Sequence, residues 1–337
     1  MIDPSRNDFP QVTVIMPILN EANFIRQSLG AVLTQDYPAE SLEIIVVDGG
    51  STDNTLPLVQ GLRLNHPNLR LLHNPKRIQA AALNIGIMAA RGEIVIRVDG
   101  HTLIAPNYVR CCVEYLRQGK ADNVGGLMRP VGTTYCGKAI ALATSSPFGI
   151  GGSKFHYSER EQYVDTVYMG AFRRTIFDRI GLFDEQLKIN EDYEFNYRLR
   201  QAGGKILLSP TLNSSYVPRQ SLGALWRQYF QYGHWKVRML QKHPASLRWR
   251  QTAPPLFVSS LVGNLLLGIF WRPALWLLGI ILSLYLLINL AASIAAAHQA
   301  GWRYFLIVPV IFMIIHCAWG LGFWYGVMAV RLPNLRN

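Results

Sequence analysis

Three carboxylate-bearing stations stand out in this 337-residue chain, each at the end of a short apolar run. QVTVIMPI carries Pro17 near its end and leads into Asn20 and Glu21, LEIIVV leads into Asp48-Gly49-Gly50-Ser51-Thr52-Asp53, and EIVIRV into Asp99-Gly100-His101. A further acidic cluster, Glu191-Asp192-Tyr193-Glu194, follows about 90 residues later. Carboxylates are the side chains that hold hard cations and take up protons. A single Asp after a strand is commonly a turn or cap residue. Several in this order point to one ligand site, because open α/β sheets bind ligands beyond the carboxyl ends of their strands.

The elements that must position these stations are legible as patterns. Residues 11–18 and 42–48 are β-branched apolar runs of the kind that form buried parallel strands, and residues 69–73 and 93–99 read as two more. Between them, 20–33 has helical spacing through Phe24, Ile25, Leu29 and Val32. Residues 51–64 read as a helix capped by Ser51-Thr52-Asp53, and 78–90 as a small-residue helix packed close on the sheet. Residues 106–118, 175–180 and 191–202 read as further helices, while 125–164 is rich in Gly and Ser and carries no clear pattern. Strands alternating with helices imply a doubly wound, mainly parallel α/β sheet over residues 1–218.

Charge and hydropathy divide the chain differently. Residues 1–194 hold all 21 acids against 19 Lys and Arg, a net of −2; residues 195–337 hold 14 Lys and Arg and no acid, a net of +14. Residues 253–271, 273–297 and 304–330 are nearly free of charge and long enough to cross a hydrocarbon core. Residues 251–337 are therefore expected to form a membrane domain, joined through a basic linker at 219–250. The basic residues lie beside these segments and are mixed with Trp and Tyr. That placement favours anionic lipid headgroups over nucleic acid as their partner. Three spans would put Arg331 and Arg336 outside. A re-entrant 253–271 would leave only Arg303 outside, which the positive-inside bias prefers. No apolar run near Met1 reads as a signal peptide, so the N-terminal domain is expected in the cytosol. The four cysteines have neither metal nor disulfide spacing and read as free thiols.

The stations VIMPILNE, IVVDGGSTDNT, DGH and NED, taken together, resemble the family 2 glycosyltransferases with the GT-A (nucleotide-diphospho-sugar transferase) fold. The resemblance covers residues 11 to about 240 and is nearest the succinoglycan-type glucosyltransferases of exopolysaccharide assembly. It implies that Pro17, Asn20 and Glu21 line the base and ribose and that Asp48 hydrogen-bonds a uracil. Gly49 stands where the family often has a second Asp. Asn74, Arg77 and Asn84 sit where the family's helix faces the nucleotide, with Arg77 as a diphosphate partner. Asp99-Gly100-His101 falls at the Asp-x-Asp motif, so the resemblance implies Mg²⁺ or Mn²⁺ at Asp99 and His101; a turn at Gly100 would let the two converge. Asn190-Glu191-Asp192 matches the acidic pair before a helix and implies Asp192 as general base, with Glu191 beside it. Read from the residues alone, both remain first-turn carboxylates that suit a helix dipole.

Residues 220–242 have an aromatic and aliphatic face with basic residues on the rest, as in a helix lying in a membrane interface. Within it, Gln231, His234 and Trp235 resemble the Gln-x-x-Arg-Trp motif of membrane-bound polysaccharide synthases, which contacts diphosphate and acceptor. His234 replaces the Arg. The expectation is an integral membrane, inverting glycosyltransferase moving a hexose from a UDP-sugar to a lipid-linked saccharide. A polyprenyl-phosphate sugar synthase, a small processive synthase and an inactive membrane scaffold are the alternatives. The hexose, the accepting hydroxyl and the oligomeric state stay open.

Overall fold

Val12–Ile18 (β1) is buried at every position, as a strand covered on both faces must be. In the computed structural model, which describes residues 9–331, β1 is followed by Ile25–Leu33 (α1), Leu42–Asp48 (β2), Thr55–Arg63 (α2), Leu69–His73 (β3), Gln79–Ala89 (α3) and Ile94–Arg97 (β4). The chain continues through Thr102–Ile104 (β5), Tyr108–Arg117 (α4), Asn123–Pro130 (β6), Tyr135–Thr144 (α5) and Pro147–Ile150 (α6). Then come Gln162–Tyr163 (β7), Tyr168–Arg173 (β8), Thr175–Ile180 (α7), Glu191–Gln201 (α8) and Ile206–Tyr216 (β9). The last four helices are Leu222–Lys242 (α9), Trp249–Leu267 (α10), Pro273–Ala300 (α11) and Val308–Arg331 (α12). Residues 1–8 and Arg336, and the side chain of Arg331, on which the leader and charge-bias expectations partly rest, lie outside the described residues.

The chain divides into two units. The first comprises residues up to Arg129 together with Ser158–Tyr216; the second comprises Pro130–Tyr157 and the chain from Val217 onward. The first unit carries one mixed sheet of strand order β3-β2-β1-β4-β8-β6-β9-β5, with β7 pairing β9. Strands β3, β2, β1 and β4 are mutually parallel. Beyond β4 the pairings of β8 with β4 and β6, and of β9 with β5 and β7, are antiparallel. The antiparallel part is larger than the sequence pattern suggests, because β8 and β9 carry Gly170, Pro210 and several polar residues that mask a strand rhythm.

Helix α3 sits so close to β1 that a Cβ on Gly86 would lie 2.4 Å from Ile15 Cγ2. Gly86→Ala is therefore expected to overpack this seam and lower stability by about 1–3 kcal/mol. Thermal unfolding of the purified protein measures this; an unchanged midpoint would mean that Ile15 moves aside freely.

The second unit is helical. Ala139, Ile140 and Ala143 of α5, Leu225 of α9 and Val308, Ile311, Phe312 and Ile315 of α12 share one buried cluster. The segment without a readable pattern thus supplies most of β6 and all of β7 to the first unit and two helices to the second. This unit contains none of the 21 acids and 13 of the 33 Lys and Arg. The acid-free character seen along the sequence after Glu194 is, in space, a property of the whole helical unit.

Candidate active site

Two of the stations interlock. The carboxylate of Asp48, at the end of β2, accepts from the Gly50 N–H at 2.8 Å, from the Ser51 N–H at 3.0 Å and from the Ser51 hydroxyl. Asn20 Oδ1 accepts from the Thr52 N–H at 2.8 Å, and the Asn20 N–H donates to Ser51 Oγ at 2.9 Å. The Glu21 and Ala22 N–H groups donate to Thr55 and Asp53. Asp53 therefore ties the β1 turn to α2 instead of merely capping a helix from residue 51, and α2 starts at Thr55. In the same way α1 starts at Ile25, because Asn20 and Glu21 are committed to the turn.

Arg77 lies across this double turn: its Cα is 3.6 Å from where a Gly49 Cβ would stand, and its Nη1 is 3.8 Å from the Gly50 equivalent. A Cβ on Gly49 would make only ordinary contact with Arg77, whereas Gly50, at φ +79, holds a left-handed backbone that other residues adopt at a cost. Asn74 and Asn84 are buried and committed locally. Asn74 bridges Ile78 and Lys76 across the turn before α3. Asn84 donates to the Phe183 carbonyl and Glu185 and accepts from the Phe183 N–H. Asn84 thus clips α3 to the 183–185 loop.

The third station is organised by a residue that pattern reading passed over. Arg97, the last residue of β4, is buried and donates through Nε to Asp99 Oδ1 at 2.7 Å and through Nη2 to Asp99 Oδ2 at 3.2 Å. Its Nη1 reaches Glu191 Oε1 at 3.2 Å. One guanidinium thus joins the Asp-Gly-His turn to the acidic pair that opens α8. Burial disfavours charge on Arg97, yet Asp99 and Glu191 outweigh it and raise its pKa. Burial also opposes charge on Asp99, but the Arg97 guanidinium holds that carboxyl below its usual range. Gln79 of α3 donates to Asp99 Oδ1 at 3.2 Å, so Asp99 is held from two elements.

Gly100 packs where a Cβ would meet Ile18 and Glu21 at about 3 Å, and beyond it His101 Nδ1 lies 2.9 Å from Glu21 Oε1. Glu21 therefore belongs with His101. Among the described residues no three His, Cys, Asp or Glu side chains form a metal cage. Both Asp99 oxygens face Arg97 and His101 Nδ1 faces Glu21, so a cation held by this pair would have to take most of its ligands from a bound diphosphate and water, as Mg²⁺ commonly does.

Glu191, Asp192 and Glu194 all lie in the first turn of α8 but do different things. Glu194 is buried and paired with Arg198, whose guanidinium also bonds the Leu182 carbonyl; this is a structural ion pair. Glu191 faces Arg97. Burial, then the charge of Asp192, push its carboxyl up to about 7 against the pull of Arg97. Asp192 keeps part of its surface open to solvent. Its place deep among neighbouring chain raises its pKa, with Arg97 opposing. A carboxylate raised in this way is a stronger base near neutrality.

Among the described residues, the non-glycine positions with positive φ are Asn20, Arg77, Met169 and Asn190. Three belong to these turns, Asn190 directly preceding Glu191; the fourth, Met169, lies in β8 and its Sδ accepts from the Asp99 N–H at 3.4 Å. Left-handed backbone at an Arg or Met is uncommon, and such outliers concentrate at functional sites. On the second unit, Trp235 Nε1 donates to Gln231 Oε1 at 3.2 Å across one turn of α9. His234 instead packs its ring against Tyr325, at a centroid distance of 5.4 Å. Burial and then the charge of Arg238 lower its pKa, which favours the neutral imidazole.

A parallel half-sheet extended by antiparallel strands, with acidic turns at the strand ends, defines a GT-A glycosyltransferase. The model described as "Glycosyl transferase family 2" matches residues 13–181, and the chain belongs to this family. It is 31% identical over 320 residues to the succinoglycan biosynthesis protein ExoA of Rhizobium meliloti, covering 94% of this chain and 95% of that one. It is 27% identical over 325 residues to a dolichyl N-acetyl-α-D-glucosaminyl phosphate 3-β-D-2,3-diacetamido-2,3-dideoxy-β-D-glucuronosyltransferase of Methanococcus voltae, covering 94% and 97%. The solved mannosyltransferase PcManGT of Pyrobaculum calidifontis, in complex with GDP-Man and Mn²⁺, superposes with a TM-score of 0.62 at 21% identity. It covers 94% of this chain and 88% of that one, and shares the fold. The protein is thus a family 2 glycosyltransferase related to succinoglycan and lipid-linked sugar transferases.

Proposed function

We propose that the enzyme transfers a hexose, glucose by preference, from a UDP-sugar to a lipid-linked saccharide at a membrane, with inversion at the transferred carbon. The observation that carries this reading is the Arg97 bridge. It fixes Asp99, at the sheet end expected to receive the diphosphate, to the Glu191–Asp192 pair expected to receive the acceptor. Pro17, Asn20, Glu21 and Asp48 shape the nucleotide end, with Arg77 reaching the diphosphate. Asn74 and Asn84 hold the surrounding turns.

Asp192 takes the proton of the acceptor hydroxyl as its oxygen bonds to the anomeric carbon, and the bond from that carbon to the diphosphate oxygen breaks with its electron pair. Asp99 and His101 would hold Mg²⁺ or Mn²⁺, which when bound neutralises charge on the departing diphosphate. Gln231 and Trp235 serve the acceptor. Neutral His234 is a weaker diphosphate partner than the Arg of the related motif, which leaves that task to Arg77. The candidate membrane helices and the acid-free second unit support an acceptor presented at a lipid surface, with the first unit on the cytosolic side.

The test is a screen of nucleotide sugars with purified protein and lipid-linked saccharides. UDP release that needs both acceptor and a divalent ion, and is abolished by a chelator and restored by Mg²⁺ or Mn²⁺, is the expected result. Turnover with another nucleotide alone would overturn the donor assignment, and full activity in chelator would overturn the metal. Transfer to bare polyprenyl phosphate would replace the saccharide acceptor.

A further inference from the structure

Among the described residues two helices are long and apolar enough to cross a bilayer, α11 and α12, but they are packed very differently. We propose that α12 does not cross: it stays on the headgroup side together with α9 and the base of the α10–α11 hairpin, and the part of that hairpin beyond Phe257 and Tyr285 is the element that enters lipid. The inference rests on the reading of a membrane-anchored enzyme given above.

Helix α9 lies side by side with α12 in the same direction. Leu225 shares a buried cluster with Phe312 and Ile315. Further along, a Cβ on Gly322 would stand 2.0 Å from the Phe230 carbonyl, and one on Gly233 would stand 2.1 Å from the Trp319 carbonyl. Gly326 meets the His234 carbonyl and Val237. These glycines bring the two backbones into contact, so the helices cannot sit at different depths. The shared length, Leu225 to Val237, is roughly 18 Å at the α-helical rise.

Within that length α9 exposes Arg227 and Gln231 and carries Lys236, whose Nζ is buried against the Ser246 carbonyl at 3.2 Å. If α12 crossed the hydrocarbon, α9 would be drawn through it with these groups, each strongly disfavoured there. An amphipathic, basic helix belongs at the headgroup level, and its partner must lie there too. The apolar sequence of α12 has in part another explanation: α5, α6, α9, α10 and the stretch of α11 from Tyr285 onward pack against it, through contacts such as Tyr285 with His316 and Asn289 with the Pro309 carbonyl. Phe148 of α6 packs edge-on to Phe312, and Gly320 meets the Pro254 carbonyl of α10.

The hairpin has the opposite character. Phe257 of α10 stacks on Tyr285 of α11 at 4.4 Å near its base. From there the two helices run to a turn at 268–272, where Phe270 is 90% exposed and Ile269 70%. Trp276, Ile280, Leu284 and Leu287 are exposed on α11. On α10, Ser259, Ser260 and Asn264 each bond a carbonyl of their own helix, at 2.7–2.8 Å. A lipid-facing helix requires its polar side chains to be satisfied in this way. The occupant of this face is hydrocarbon.

The topology of α12 decides the matter at Arg303, which an α11–α12 pair of spans would place across the membrane from residue 217. The test adds single cysteines at exposed positions (Arg63→Cys, Arg227→Cys, Phe270→Cys, Arg303→Cys) to the full chain in sealed vesicles of either orientation. The native thiols stay in place, and an impermeant maleimide-polymer reports each new thiol as an extra gel shift over the wild type. Arg227→Cys and Arg303→Cys are expected to label from the same face as Arg63→Cys, and Phe270→Cys is not expected to label from that face. Labelling of Arg303→Cys from the opposite face alone overturns the inference, as does labelling of Phe270→Cys together with Arg63→Cys. Release of the wild type from the vesicles by alkaline carbonate would instead sink the membrane anchoring itself and this inference with it.

Discussion

Turnover of the Asp192→Asn variant is expected to fall by about 10²–10⁴-fold, the usual worth of a positioned general base, while nucleotide-sugar binding is kept. Asn preserves the shape of the side chain and removes only its capacity to take a proton. The Arg97 contacts run to Asp99 and Glu191, so the substitution leaves that bridge in place. Single-turnover transfer and UDP-sugar binding, measured side by side, test this; equal loss in both would mean that Asp192 holds the donor and is not the base. The same pair sets a pH dependence. Burial raises Asp192, and burial followed by the Asp192 charge raises Glu191 to about 7. A raised carboxyl is protonated and inactive as a base at acid pH, so kcat/KM should climb as pH rises through the pair's titration. Glu191→Gln removes the neighbouring charge and should move that acid limb to lower pH. An unmoved limb would mean that the two carboxyls do not titrate together.

The parallel half of the sheet was readable because strands buried on both faces leave unbroken apolar runs, as in Val12–Ile18 and Leu42–Asp48. The antiparallel strands were not. Ile206–Tyr216 is half-exposed beyond Ser209, and Tyr168–Arg173 carries a glycine at its centre. The turns bearing Asp48, Asp99 and Asp192 were visible as residue types, but their partners were not, since a pairing such as His101 with Glu21 joins positions 80 apart in sequence. Asn190 gave no sign of its left-handed backbone. Arg97 did leave one signal: it interrupts an apolar strand two positions before Asp99, and residues i and i+2 of a strand share a face. The helix of 222–242 showed its amphipathic character plainly, whereas the partner of its apolar face could be found only from the glycines of α12.

Arg97→Met is expected to lower stability by about 3–5 kcal/mol, the range for breaking a buried ion pair from one side. The loss is not the worth of the contacts themselves. It arises because Asp99 and Glu191, both buried, are left without the cation that stabilises their charge. Arg97→Lys keeps a charge but lacks the planar fork that holds both Asp99 oxygens while reaching Glu191. It should therefore recover only part of the stability. A double-mutant cycle with Glu191→Gln separates this account from simple overpacking by Met. If the guanidinium is retained to neutralise the acidic pair, the double variant should lose less than the two single losses combined. Strict additivity would mean that Arg97 serves Asp99 alone. Thermal unfolding of the four proteins in one detergent gives the comparison, and activity need not be measured. Between them, the two sets of variants address different links: Asp192 tests the proposed base, and Arg97 tests whether the fold holds the ends proposed for donor and acceptor as one body.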